Sequence, residues 1–149
     1  MTPEEMMKAL REPFDAKAIK WRPGSTNKEN TRGLALAYID ARDVMGRLDA
    51  VCGLGGWQDE YVEVLGRIVC RIGVKVGDSW VWKSDGAGDT QIEADKGGLS
   101  DAFKRAGVKH GVGRYLYYLP AVWCELDQYR KIKEPPQLPV WALPKREKP

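Results

Sequence analysis

Lys104 and Arg105 are adjacent cations in the run 95–107, and adjacent cations held outward on a rigid element can grip the phosphates of a nucleic acid. At about 100° per residue the pattern predicts a helix over 94–111. Leu99, Phe103, Ala106 and His110 fall on one stripe of it, to be buried against a sheet, while Lys104 and Arg105 point away. Paired outward cations are more often a solvated helix face than a site, so the remaining elements have to decide between the two.

A sheet for that helix is written just before it. From Trp57 to Asp85 the pattern changes to period two, with Val62, Val64, Ile68, Cys70, Ile72, Val74 and Val76 alternating with charged residues or Gly. Reversals at Leu65-Gly66 and at 76–79 predict an antiparallel meander of strands over 57–65, 67–76 and 79–85. Its apolar side needs a cover, and the 94–111 helix offers the matching stripe. A second candidate cover is a helix capped by Asp40, with Val44, Met45, Leu48, Val51 and Cys52 on one face and an Asp43–Arg47 pair on the other. Trp80 and Trp82, two apart in the last strand, share a face.

Upstream, Thr2-Pro3-Glu4-Glu5 caps a short helix to about Leu10. An edge strand is expected over 17–22, then a turn cluster at 23–27 opening a polar loop to about Gly33, and a strand over 34–39. That loop carries two further cations, Lys28 and Arg32. Residues 115–125, interrupted by Pro120, suit a short terminal strand or an irregular packing segment, and a Pro-rich tail follows, with Trp141 as a docking anchor on its own domain, a neighbouring subunit or a partner. The fold class is therefore α+β, with residues 1–130 as one domain and 131–149 as a tail.

Composition narrows the chemistry. The 149 residues are 43% hydrophobic and 30% charged, as in a soluble globular protein, and no apolar run approaches the roughly 20 residues of a membrane span. The acidic N-terminus is no secretory signal, so a cytoplasmic protein is expected. The net charge of +3 is concentrated in residues 131–149, where five Lys and Arg face two Glu. Any nucleic-acid surface on the folded part is thus a local stripe. Cys52, Cys70 and Cys124 contain no C-x-x-C pair, a single His leaves too few zinc ligands, and the three Cys are read as reduced core thiols. His110, on the apolar stripe, is read as a packed core His. No catalytic triad is visible, and the absence of G-x-x-x-x-G-K-S/T excludes P-loop nucleotide hydrolysis. No cofactor is expected.

Two blocks carry a family pattern. Tyr38-Ile39-Asp40-Ala41-Arg42-Asp43-Val44 through Gly56-Trp57 is one. The other is Lys96 through Ser100-Asp101-Ala102-Phe103-Lys104-Arg105-Ala106, continuing in Gly113-Arg114-Tyr115-Leu116-Tyr117. Together with Trp21-Arg22-Pro23-Gly24 and the tail Pro135-Pro136-Gln137-Leu138-Pro139-Val140-Trp141, they resemble the Rad52 superfamily of single-strand annealing proteins, most closely its bacterial DdrA branch. The resemblance implies a β-β-β-α core with an additional helix packed on the sheet, and protomers joined into a homo-oligomeric ring. It also implies ATP-independent binding and annealing of single-stranded DNA, in recombination and repair at the nucleoid. In the DdrA branch it implies protection of 3′ single-stranded ends. By it, Lys104, Arg105 and Lys96 match the family's basic helix, and Arg42 stands one residue before the position, here Asp43, where the eukaryotic block has its DNA-contacting Arg. One step on a helix turns a side chain by about 100°.

Two other classes compete. Asp85, Asp89, Glu93 and Asp95-Lys96 put carboxylates and a Lys together after a strand, as a metal-dependent nuclease requires. A scaffold without a nucleic-acid role would use the Pro-rich tail as a peptide ligand. DNA degradation abolished by EDTA marks the first, and loss of salt-sensitive DNA binding the second.

Overall fold

A computed structural model describes residues 1–88 and 97–145. Lys96, with Asp89, Glu93 and Asp95, lies outside the described residues. The chain divides into two compact units, one of residues 1–12 and 40–114, the other of residues 13–39 and the chain from Tyr115 onward.

In the first unit, helix α1 (Pro3–Arg11) starts at the expected capping box, with the Glu5 N–H donating to Thr2 Oγ1 at 3.1 Å and the Thr2 N–H to the Glu5 carboxylate at 3.0 Å. Helix α2 (Ala41–Cys52) follows Asp40, whose N–H donates to Asp43 Oδ2 at 2.9 Å. The expected Asp43–Arg47 pair is not formed. Arg47 Nη1 instead donates to the carbonyls of Ala9, Leu10 and Glu12 at 3.3, 3.1 and 2.6 Å. Both charges go to helix ends, where backbone groups without intrahelical partners bind a full charge better than an exposed i,i+4 partner does.

Strands β3 (Trp57–Val64), β4 (Arg67–Val76) and β5 (Ser79–Gly86) form the antiparallel meander, central strand β4, close to the expected bounds. Strands β1 (Lys20–Thr26) and β2 (Arg32–Tyr38) belong to the second unit. The register sets Cys70 between Tyr61 and Asp85, Ile72 between Asp59 and Lys83, and Val74 between Trp57 and Val81. Helix α3 (Leu99–Lys109) packs on β4 and β5. Cys70, Ile72 and Val74 are buried beneath it, as are Ala102, Phe103 and Ala106 of the helix. Leu99 departs from the expected stripe and is 51% exposed. It is the first residue of α3, and a helical side chain leans toward the N-terminus, here past the part of the stripe that the sheet covers. The additional helix also differs from expectation, since α2 packs chiefly on α1 and α3 and only marginally on β3. The apolar side of the sheet is taken by α3, and Gly107 of α3 receives α2 closely: a Cβ there would lie 2.8 Å from Val44 Cγ1.

His110 closes α3 as a buried core residue, its Nε2 2.8 Å from the Ile72 carbonyl oxygen, so Nε2 carries the proton and donates. Burial lowers its pKa from 6.5, the Ile72 hydrogen bond opposing and the Lys83 and Arg114 charges adding to the effect. The unfolded chain therefore takes up a proton at a pH where the folded chain does not, and stability falls as pH drops below 6.5. Urea midpoints measured from about pH 7.5 to about 5.5 are expected to decline, with a shallower slope in His110→Asn. An equal slope in the variant would assign the pH dependence to other groups.

Cys70 is buried, and burial first, then the Asp59 charge, pushes its thiol up to about 11, with the Tyr61 hydrogen bond working the other way. Such a thiol stays protonated and inert at neutral pH. All three cysteines are free; Cys70 and Cys124 are buried and Cys52 half-buried.

In the second unit, β1 (Lys20–Thr26), β2 (Arg32–Tyr38) and β6 (Trp123–Glu125) form another antiparallel sheet in the order β1-β2-β6. Strand β1 starts later than expected and continues through Pro23-Gly24, where a turn was expected. As an edge strand it can hold a proline without losing a ladder bond, and its register is irregular between Pro23 and Thr26. Strand β2 begins at Arg32, so Arg32 is a strand residue and not a loop residue. The loop is tied by Asn27, whose Oδ1 accepts the N–H groups of Thr31 and Arg32 at 2.9 and 3.0 Å. Farther on, Ala142 is buried and the expected anchor Trp141 is exposed. No described helix is long and apolar enough to cross a membrane.

Candidate nucleic-acid interface

The first unit offers a helix edge. Phe103 and Ala106 fix the rotation of α3, which leaves Lys104 half-buried at the flank and Arg105 exposed. Arg105 Nε lies 3.6 Å from Asp85 Oδ1, the two side chains 48% and 28% exposed. At that exposure the pair is worth little in stability, but it steadies the guanidinium at the end of β5. Asp85 also accepts the Gly86 N–H at 2.7 Å, and Asp101 of α3 accepts the Gly88 N–H at 3.3 Å. The Asp85 carboxylate, first member of the nuclease constellation, thus serves Arg105 and the backbone. Among the described residues no three His, Cys, Asp or Glu are grouped to hold a metal ion.

Arg42 is exposed on α2. It lies two residues, about 200°, from Val44, the residue that meets α3. The structure therefore places Arg42 on the side of α2 turned away from the helix that carries Lys104 and Arg105.

The second unit offers a sheet face. Lys28 is exposed in the β1–β2 loop. Arg32 stands on β2 and donates through Nη2 to the Trp123 carbonyl at 3.2 Å. Alternation along β2 puts Leu34, Leu36 and Tyr38 on the Arg32 side, and the cross-strand partners bring Lys20 and Arg22 of β1 and Trp123 of β6 to the same side. The Arg22 guanidinium lies 5.8 Å from the centroid of the Tyr38 ring. Trp123 is 47% exposed. Glu125, a carboxylate on this face, is bound by Lys133 at 3.2 Å. Cations between planar and aliphatic groups on a solvent-facing sheet can hold a backbone by charge while bases rest on the rings.

Lys20, Arg22, Tyr38 and Trp123 were not candidates from sequence. The signal was period-two alternation in 20–22 and 32–38, but it becomes legible only when the two runs are paired in register.

The family model for Rad52/22 family double-strand break repair proteins matches residues 2–134. Two curated relatives are each 40% identical over 147 residues, 97% of this chain. They are single-stranded DNA-binding protein DdrA of Deinococcus radiodurans, with 70% of its length covered, and the protein of the same name from Deinococcus deserti, with 73% covered.

Proposed function

Because this chain belongs to the Rad52/22 family of double-strand break repair proteins, we propose that it binds single-stranded DNA and anneals complementary strands without ATP. The observation that carries the reading is the solvent-facing side of β1-β2-β6, where Lys20, Arg22 and Arg32 alternate with Leu36, Tyr38 and Trp123. The proposal also assigns phosphate contacts to Lys104 and Arg105 of α3 and to Lys96, Lys28 and Arg42. Such contacts are indifferent to sequence and leave base edges open for a second strand. Pairing itself releases roughly 1.4 kcal/mol per base-pair step, so no nucleotide cofactor is needed.

In this reading β3-β4-β5-α3 is the family's β-β-β-α core, residues 1–130 carry the DNA-binding function, 131–149 form a tail, and copies assemble into a homo-oligomeric ring at the bacterial nucleoid. The chain is not an enzyme.

The test is annealing of two labelled complementary oligonucleotides by the purified protein, without ATP and with EDTA, at low and raised salt. Acceleration above the spontaneous rate, weakening as salt rises, is the expected result. Tight binding without acceleration would replace annealing by protection of 3′ ends. Absence of binding would overturn the reading, and degradation that needs a divalent metal would reinstate the nuclease.

A further inference from the structure

The meander has a second side, turned away from α3. The register puts Arg67, Arg71 and Lys75 of β4 there, beside Trp80 and Trp82 of β5. Trp82 lies flat on Gly73, where a Cβ would come within 2.9 Å of its ring, and Trp80 follows at 6.4 Å, 37% exposed. Val62 and Val64 of β3 continue this side as exposed aliphatic surface toward the β3–β4 turn. In that turn Leu65 is 97% exposed with φ +54°, a left-handed position usually given to Asn, Asp or Gly. A bare leucine there gains nothing within one chain.

The side facing α3 is different at its edge. Helix α3 covers β4 and β5, and on β3 it leaves Asp59, Tyr61 and Glu63 exposed. One sheet therefore carries a basic, aromatic surface on one side and an acidic strip on the other. Two such patches on opposite sides of a sheet cannot meet within one molecule, but they can meet between molecules.

We propose that the acidic strip Asp59–Tyr61–Glu63 of one copy docks on the Arg67, Lys75 and Trp80 surface of the next. This rests on the self-association in the function proposed above and names its surfaces. A contact of two different patches is heterologous, so it repeats from copy to copy and either closes into a ring or runs on as a filament. Nucleic acid fits this side of the sheet less well. A carboxylate, Glu60, stands at its centre in an ion pair with Arg71, whose guanidinium lies 4.9 Å from the Trp82 ring centroid.

The test is charge reversal in the full chain, with particle mass read by sedimentation, single-strand affinity read separately and folding checked by circular dichroism. Asp59→Lys with Glu63→Lys, and Arg67→Glu with Lys75→Glu, are each expected to weaken assembly at least about tenfold, and mixing the two variants to restore it. The neutral pair Asp59→Asn with Glu63→Gln weakens assembly less and serves if a reversed pair does not fold. A wild-type multimer unaltered by the reversals, or no recovery on mixing, would overturn these surfaces and leave self-association standing. A wild-type protein that stays monomeric would overturn both. Loss of DNA affinity at unchanged mass in the Arg67, Lys75 variant would assign this side to nucleic acid instead.

Discussion

Replacing Lys104 and Arg105 together by alanine is expected to lower single-strand affinity on the order of 10- to 100-fold at moderate salt and to flatten its salt dependence. Each phosphate neutralised on a single strand contributes about −0.7 to the slope of log affinity against log salt, so losing two contacts makes the slope less negative by about 1.4. The change removes charge without touching the packed stripe. Phe103 and Ala106 stay in place, and the Arg105–Asp85 pair is exposed enough to contribute at most about 1 kcal/mol. Asp85 adds to the loss of affinity, since without Arg105 its carboxylate repels an approaching phosphate. Titration of a labelled oligonucleotide at several salt concentrations, beside a thermal melt, measures both effects. Unchanged affinity would remove α3 from the interface.

Phe103→Ala is expected to cost about 3–5 kcal/mol of stability. That is a large share of the roughly 5–15 kcal/mol typical of a folded domain. Phe103 is buried on the sheet side of α3 with its ring centroid 6.0 Å from that of Trp57, the planes tilted by 54°, so truncation removes both the helix–sheet contact and an aromatic pair. Phe103→Leu should recover most of the loss. DNA binding in Phe103→Ala should fall only as the protein unfolds, whereas in the Lys104, Arg105 variant it falls while the protein stays folded. Urea midpoints at constant pH read the stability, and a loss below about 1 kcal/mol would mean that α3 is held by something other than this stripe.

Where structure is local, the residues told it. The meander strands fall close to their period-two runs, α2 starts at Asp40, Trp80 and Trp82 share a face, and His110 is a core residue. Each depends on neighbours a few residues apart. The second sheet did not show itself, because β6 has three residues and pairs with β2 from far along the chain. By sequence Arg32 falls in a loop, because Pro23-Gly24 punctuates like a turn, although an edge strand tolerates it.

The sequence by itself determined the periodicities: which side of α3 and of each meander strand is apolar, and hence that Arg105 stands off the core with Lys104 at its flank. Its two blocks also carried the family resemblance. Only the tertiary structure decided which charges are engaged and with what. Arg47 goes to the end of α1 and not to Asp43, Arg105 to Asp85, and Arg42 faces away from α3. It alone put Lys20, Arg22, Arg32, Tyr38 and Trp123 on one surface. The physical reason is range. Burial patterns follow from the 3.6- and 2-residue repeats of single elements, whereas a charge chooses its partner by distance in space, which strand pairing and helix rotation set.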